Sequence, residues 1–146
     1  MSVIAADVPE ILGLPERGKR SISPLELATR VEDGFPLSAL EHLCRQIAPD
    51  DAGFKYRIVR RATLARRYNA RHPKLEPEES ARLVRLADIW SSALDVWKDE
   101  ANARAFLSRP HPLLGGRSPI DFALGSEVGA RLVVQTLGRI KYGTES

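Results

Sequence analysis

The residues best suited to chemistry in this sequence are arginines, and five of them lie between residues 60 and 71, where no acidic residue occurs. Placed on a helix, this stretch puts Leu64, Ala65 and Tyr68 on an inward side and most arginines outside, with Arg61 at the rim. Arginine binds guanine edges and phosphates, and threonine can contact either bases or phosphates. The pattern therefore predicts a helix that enters the major groove of DNA and contacts it through Arg60, Arg61, Thr63, Arg66, Arg67 and Arg71.

The charge distribution along the chain supports the same interpretation. The net charge of the whole protein is +3, but ionisable residues give −4 over residues 1–54, +7 over 55–85 and zero over 86–146. A basic middle segment of this kind suggests a localised site for a polyanion. The alternative is a solvated helix face that happens to favour arginine.

Residues 51–59 would supply the supporting helix of a helix-turn-helix, with the arginine-rich helix as its second member. Ala52, Phe54, Ile58 and Val59 are the apolar residues that suggest this helix, and Gly53 weakens it. We expect such a motif to bind as a homodimer to an inverted repeat in operator DNA.

The sequence contains no motif that is typical of catalytic residues. The three histidines, at positions 42, 72 and 111, lack the spacing of metal ligands, and no phosphate-binding glycine loop or serine-nucleophile motif occurs. Cys44 is the only cysteine, so no intrachain disulfide is possible, and its apolar setting predicts a small core residue. We therefore expect no catalytic residue, no metal site and no cofactor.

Helix signals surround the arginine-rich segment, and no credible strand is present. Ser23 to Glu26 has capping-box spacing, and a second helix follows before Pro49. A long amphipathic helix is predicted from residue 78 to about 97, with one apolar face made by Leu83, Leu86, Ala87, Trp90, Ala93, Leu94 and Trp97. The fold class is thus all-α, with an N-terminal helix-turn-helix-like bundle joined by this long helix to a small C-terminal helical domain.

The residue pattern in the last third of the chain predicts a rigid turn followed by two capped helices. Prolines flank His111, glycines at 115 and 116 reverse the chain, and Ser118 and Ser126 offer N-caps. The final helix carries an apolar stripe of Ala130, Val133, Val134, Leu137 and Ile140, and Gly143 follows as a C-terminal cap. Gly138, inside this helix, is either a tolerated defect or a point where a neighbour approaches closely.

Three domains follow from these signals: a flexible arm at 1–22, a helix-turn-helix-like domain at 23–76, and a connector helix with a C-terminal domain at 77–146. The apolar residues of the arm, Val3, Ile4, Val8, Ile11 and Leu12, could dock on the body or on a partner. No run of residues is long and apolar enough for a membrane span, and the N-terminus lacks signal-peptide order, so we expect a cytoplasmic protein without a membrane partner.

A C-terminal segment that includes Phe106 to Gly143 resembles the C-terminal domain of Xre/MbcA/ParS-type antitoxins, the partners of RES-domain toxins. The likeness runs through about 45 residues, and Thr63–Arg67 resembles the recognition-helix segment of the same family. Phe106 replaces the tryptophan that is more usual in the family. The matching residues are Asn102, Leu107, Pro110, Pro112, Leu113, Pro119, Asp121, Gly129, Ala130, Val134, Leu137, Gly138, Arg139, Ile140, Tyr142 and Gly143.

This resemblance implies an antitoxin whose C-terminal domain covers the active site of an NAD-degrading RES toxin and whose helix-turn-helix autoregulates its operon. NAD is then the toxin's substrate, and the long helix helps the antitoxin to dimerise. The implied toxin contacts are Pro110, His111, Arg117, Arg139, Lys141 and Tyr142. For the cations near residue 140, complementarity to the helix dipole is the alternative explanation. The alternative function is a stand-alone helical DNA-binding regulator whose C-terminal domain only oligomerises.

Overall fold

The computed structural model describes residues 8–14 and 22–143, and within these residues it is helical, with no strand. The predicted all-α fold class is confirmed. In chain order the α-helices are α1 (residues 8–11), α2 (Pro24–Asp33), α3 (Leu37–Ile47), α4 (Arg61–Tyr68), α5 (Pro77–Trp97), α6 (Glu100–Ser108), α7 (Pro119–Gly125) and α8 (Glu127–Tyr142). Short 3-10 helices cover Phe54–Arg57 and Pro112–Leu114.

The chain folds as two units, Met1–Val84 and Arg85–Ser146, and the division falls inside α5. In the first unit, α1 and the turn that follows it are docked through Val8 and Leu12, whose side chains are fully buried. The Gln46 side-chain amide on α3 also donates a hydrogen bond of 2.6 Å to the Ile11 carbonyl. The sequence allows these residues to dock either on the body of the protein or on a partner. In the structure, Val8, Ile11 and Leu12 contact the body of the protein. Val3 and Ile4 lie outside the described residues.

Helix α2 begins at the capping signal that its sequence predicts. The Ser23 hydroxyl accepts a hydrogen bond of 3.1 Å from the backbone N–H of Glu26, which satisfies one donor of the first turn. Gly34 ends the helix with φ +89°, and a β-carbon there would lie 2.2 Å from the Leu75 carbonyl oxygen. Glycine is required at this position because both the backbone angle and the approach of Leu75 exclude a side chain.

Helix α3 supplies more buried residues to the N-terminal core than any other helix of the first unit. Cys44 is buried on this helix, so its predicted role as a core residue is confirmed. Burial raises the pKa of its thiol to about 12, which leaves the sulfur protonated and unreactive at neutral pH. The other buried residues of α3 are Leu37, Ala39, Leu40, Leu43 and Ile47.

Two local predictions around the arginine-rich segment are wrong. The expected helix over residues 51–59 is only the 3-10 helix Phe54–Arg57, because the Asp51 carboxylate accepts a hydrogen bond from the Gly53 N–H and forms a turn instead. In α4 only Leu64 is buried, whereas Ala65 is exposed and Tyr68 keeps 46% of its surface exposed. The inward face of α4 is therefore narrower than the helical-wheel pattern predicts.

The second unit consists of the C-terminal part of α5 and helices α6 to α8. The predicted N-caps are present, since Ser118 accepts from the Asp121 N–H at 3.1 Å and Ser126 from the Gly129 N–H at 2.9 Å. Gly143 ends α8 in the left-handed conformation, with φ +65°. Of the predicted stripe on α8, Ala130, Val133 and Leu137 are buried and the other two members are half-buried.

The two glycines of α8 have opposite surroundings. A β-carbon on Gly129 would lie 2.3 Å from the carbonyl oxygen of Phe122 on α7, so α7 and α8 approach each other closely there. A β-carbon on Gly138 would have nothing within 4 Å. Gly138 is therefore a tolerated defect in α8, and the close approach that the sequence allowed at Gly138 occurs at Gly129.

Candidate functional site

Three arginines of the basic segment are available to a ligand. Arg60, Arg66 and Arg71 are exposed and form no ion pair with any residue in the described parts of the chain. Arg60 precedes α4 in an extended conformation, and Thr63 is half-buried in its first turn. These side chains place positive charge along α4 and just beyond its end, which suits contacts to the phosphates of a duplex.

The other two arginines of the predicted DNA-binding set contact the protein itself. The Arg61 guanidinium lies 3.9 Å from the centre of the Tyr56 ring, a distance that allows a cation–π interaction. Arg67 forms an ion pair and hydrogen bond with Glu79 on α5, and its guanidinium also lies 3.9 Å from a carboxylate oxygen of Glu76. The predicted set is thus divided into exposed residues and residues with internal partners.

The turn before α4 is fixed by apolar burial and by one arginine of α5. Ile58 and Val59 are buried in this turn, and Phe54 is buried in the preceding 3-10 helix. The Arg82 guanidinium on α5 donates a hydrogen bond of 2.9 Å to the Ile58 carbonyl. The start of α4 is therefore held by contacts that leave its arginine face exposed.

The end of α4 is fixed by a polar network with α3. The Tyr68 hydroxyl donates a hydrogen bond to the Glu41 carboxylate, which also accepts one of 3.2 Å from Lys55. Partial burial and the bond to Glu41 raise the pKa of Tyr68 to about 12. Burial raises the pKa of Glu41, but the hydrogen bonds from Tyr68 and Lys55 outweigh it, so that its net pKa is lowered.

The C-terminal unit contains an open, mostly apolar cleft of about 480 Å³. Its aromatic wall is a series of rings in contact: Trp97 and Phe106 have centroids 5.9 Å apart, and Phe106 meets His111 edge-on at 5.4 Å. Ile140 on α8 lines the same cleft. The full lining is Trp97, Asn102, Ala105, Phe106, Arg109, Pro110, His111 and Ile140.

The predicted toxin-contact residues fall into three places within this unit. Pro110 and His111 line the cleft, whereas the Arg117 guanidinium lies 4.3 Å from the centre of the Phe122 ring. Arg139 is exposed on α8, and 68% of the surface of Tyr142 is exposed.

Lys141 on α8 differs from its exposed neighbours because it is ion-paired with Asp95. The hydrogen bond between them raises the pKa of Lys141 and lowers that of Asp95. Of the three predicted toxin-contact residues near the end of α8, Arg139 and Tyr142 are thus the two whose side chains make no ion pair in the described part of the chain.

Sequence reasoning missed the part that Trp97 and Phe106 play in the cleft. Trp97 was predicted to share the buried face of α5, yet 36% of its surface is exposed where it lines the cleft. The position of Trp97 could have indicated this exposure, because it is the last residue of α5. No further turn of the helix follows to cover its side chain.

Two other kinds of site are not found in the part of the chain that the structure describes. Residues 8–14 and 22–143 contain no group of three or more His, Cys, Asp or Glu side chains placed to hold a metal ion. No helix formed by these residues is long and apolar enough to cross a membrane.

Comparisons with known proteins match both parts of the chain. Residues 26–88 match the antitoxin Xre-like helix-turn-helix domain, and residues 92–143 match the antitoxin Xre/MbcA/ParS C-terminal toxin-binding domain. The first match contains the whole of α4 with its arginines, and the second contains the cleft and the end of α8. The exposed arginines thus lie in a DNA-binding domain, and the predicted toxin contacts lie in a toxin-binding domain.

Two curated relatives are both named antitoxin Xre. A protein named antitoxin Xre from Yersinia enterocolitica is 36% identical over 74 residues, which is 50% of this chain and 49% of that protein. An antitoxin Xre from Pseudomonas putida is 29% identical over 140 residues, covering 94% of this chain and 82% of the relative. The chain thus spans about half of the first relative and most of the second. With two family domains in this order, the chain belongs to the Xre/MbcA/ParS antitoxins, a family of non-enzymatic proteins with a helix-turn-helix domain and a C-terminal toxin-binding domain.

Proposed function

We propose that this protein neutralises a RES-type, NAD-degrading toxin by covering the toxin's active site, and that it binds operator DNA to autoregulate its operon. The observation that carries the proposal is the presence of a toxin-binding domain and a helix-turn-helix domain on one chain. Both activities would take place in the cytoplasm, where NAD and the operator are found.

The DNA half of the proposal assigns phosphate contacts to the exposed arginines of α4. Arg60, Arg66 and Arg71 have no competing ion pair within the described chain, and Thr63 is half-buried in the first turn of the same helix. The protein binds as a homodimer to an inverted repeat, which matches the symmetry of two identical recognition helices. Each arginine that contacts a phosphate contributes about 0.9 to the slope of log K against log salt for duplex DNA.

The toxin half of the proposal assigns the contact to the end of α8 and to the adjoining cleft. Arg139 and Tyr142 are exposed, and tyrosine and arginine are the residue types that most often anchor interfaces. Ile140, between them in sequence, lines the cleft with Pro110 and His111. A toxin surface that receives α8 at this end would therefore meet a cation, an aromatic ring and an apolar recess together.

The test uses the gene next to the one for this protein. We expect it to encode a RES-type protein that arrests growth and depletes NAD when expressed alone, and we expect co-expression of the antitoxin to restore both. Affinity capture of the full chain should recover the toxin in a stable complex. If the neighbouring protein has no effect on growth or NAD, the neutralising function is wrong, and the stand-alone regulator becomes the better description.

A further inference from the structure

Helix α4 has a weak apolar attachment for a helix that has to present charges at fixed positions. It is eight residues long, and Leu64 is its one buried residue. A single buried leucine restrains the position of a helix better than its rotation, since apolar contact is non-directional. Polar contacts with defined geometry must therefore set how the arginine face is turned.

The hydrogen bond from Tyr68 to Glu41 is one such contact, made by an exposed side chain. The ion pair formed by Arg67 and Glu79 is another. Both side chains are largely buried, with 19% and 14% of their surfaces exposed, so water screens their attraction less than on an open surface. The Glu79 carboxylate is itself fixed, because it accepts a hydrogen bond of 2.8 Å from the backbone N–H of Glu76. Glu76 adds a second carboxylate oxygen at 3.9 Å from the Arg67 guanidinium.

Arg66, the preceding residue, provides the contrast. It is exposed and has no ion-pair partner in residues 8–14 and 22–143, whereas the guanidinium of Arg67 is already paired with carboxylates. For Arg67 to bind a phosphate it would have to leave Glu79, and Glu79 would then keep an unpaired and partly buried charge. Neighbouring arginines of the same helix therefore have different surroundings and should have different roles.

We propose that Arg67 and Glu79 form a clamp that orients α4, and that Arg67 is a positioning residue and not a phosphate contact. The inference rests on the proposed DNA-binding function, within which it divides the arginines of α4. Arg60, Arg66 and Arg71 contact the backbone of the duplex, and the clamp holds the helix so that they can do so at the same time.

The first experiment tests whether Glu79→Gln binds DNA more weakly or more tightly than the wild type. Glu79→Gln removes a negative charge near the DNA, so general electrostatics alone makes binding tighter. The glutamine oxygen can still accept the hydrogen bond from the Glu76 N–H, but the charge that holds Arg67 is lost. The clamp therefore predicts weaker binding, by about tenfold, because a charge-assisted hydrogen bond is lost.

The control Glu78→Gln removes the same charge from a neighbouring side chain that is 77% exposed and pairs with Arg82. Arg82 binds the Ile58 carbonyl through its other terminal nitrogen, so this variant should leave DNA binding unchanged or slightly tighter.

The second experiment compares neighbouring arginines. Binding of the full-length protein to a duplex that spans the promoter of its own gene is measured across a series of salt concentrations. Arg66→Ala should weaken binding and reduce the salt slope by about 0.9, whereas Arg67→Ala should weaken binding with the wild-type slope. Tighter or unchanged binding by Glu79→Gln, or a slope reduced equally by both arginine variants, overturns the clamp.

A third measurement separates this inference from the DNA-binding function on which it rests. Amide hydrogen exchange in the DNA-free protein should be faster throughout α4 in Arg67→Ala and Glu79→Gln, and unchanged in Arg66→Ala. If the wild type does not bind the duplex, the proposed function fails while the exchange data still decide whether the clamp exists. Wild-type exchange rates in both clamp variants would refute it.

Discussion

The backbone N–H of Phe35 donates a hydrogen bond of 2.9 Å to the side-chain hydroxyl of Ser80, although the two residues are 45 positions apart. Both residues are buried, and the Ser80 hydroxyl in turn donates to the Glu76 carbonyl at 3.0 Å. The bond joins the loop between α2 and α3 to the first turn of α5. It gives the Phe35 amide a hydrogen-bond partner where water cannot provide one.

Replacing Ser80 by alanine should therefore destabilise the protein. The Phe35 N–H would remain buried without an acceptor, which costs about 1–3 kcal/mol of unfolding free energy. Urea denaturation followed by circular dichroism measures the change. Ser38→Ala, at an exposed serine of α3, is the matched control and should stay within about 0.5 kcal/mol of the wild type. Equal stabilities of the two variants would show that the Ser80 bond contributes nothing.

The two glycines of α8 allow a prediction in which the same substitution has opposite signs. At Gly129 an added methyl group would lie 2.3 Å from a backbone oxygen of α7, so Gly129→Ala should cost about 1–3 kcal/mol of stability. At Gly138 the methyl group would have nothing within 4 Å, and Gly138→Ala should stabilise the helix by about 0.5–1 kcal/mol. Thermal unfolding of both variants measures the difference, and a destabilising Gly138→Ala would contradict it.

The sequence predicted those parts of the fold that depend on neighbouring residues. The N-caps at Ser23, Ser118 and Ser126 are present because capping joins a side chain to an amide three positions later. The helix expected over residues 51–59 failed for a reason that is also local, since the Asp51 turn and Gly53 compete with helix formation. Local chemistry thus explains both the successes and this error.

The sites were less predictable because their geometry depends on contacts between distant segments. A helical wheel can place Arg66 and Arg67 on one face, but it cannot show that Glu79, 12 residues after Arg67, pairs with one of them. The cleft also depends on contacts between distant segments, since Trp97 and Ile140 come from different helices. Residue type therefore predicted the kind of partner for each domain. The different roles of similar residues, such as Arg66 and Arg67, could be distinguished only from their contacts in the folded protein.

Asp88 on α5 should make the stability of the protein depend on pH. Burial raises the pKa of its carboxyl to about 6, and it has no hydrogen-bond or ion-pair partner in the described part of the chain. The folded state therefore holds the proton to higher pH than the unfolded state. Ionisation of Asp88 is costlier in the folded state, so the free energy of unfolding falls as pH rises from about 4 to about 6.

The variant Asp88→Asn removes this ionisation and tests its sign. At pH 7.5 it should be more stable than the wild type by about 1–3 kcal/mol, and at pH 4 the advantage should largely disappear. Urea denaturation at both pH values provides the comparison, and a carbon-13 NMR titration of the carboxyl gives its pKa directly. A wild-type pKa near 4 would remove the basis of this prediction.

The last prediction concerns the separation of the two proposed activities. Arg139 and Tyr142 are exposed, so replacing both by alanine should leave the fold and operator binding intact while neutralisation is lost. If both are anchors of the interface, the affinity for the toxin should fall about 1,000-fold, since two such residues at about 2 kcal/mol each contribute about 4 kcal/mol. Growth rescue by co-expression, together with a binding titration on purified toxin, measures this loss.

Two further variants on α8 decide whether the effect is specific to these side chains. Arg131→Ala removes an exposed cation two turns earlier in the helix and should rescue growth fully. Lys141→Ala removes a cation that is ion-paired with Asp95, and it should weaken neutralisation less than the loss of Arg139. If the Arg139 and Tyr142 double variant rescues growth at matched expression, these residues serve only the end of the helix. The toxin must then contact another part of the domain, and the turn from Pro110 to Gly116 beside the cleft is the next surface to mutate.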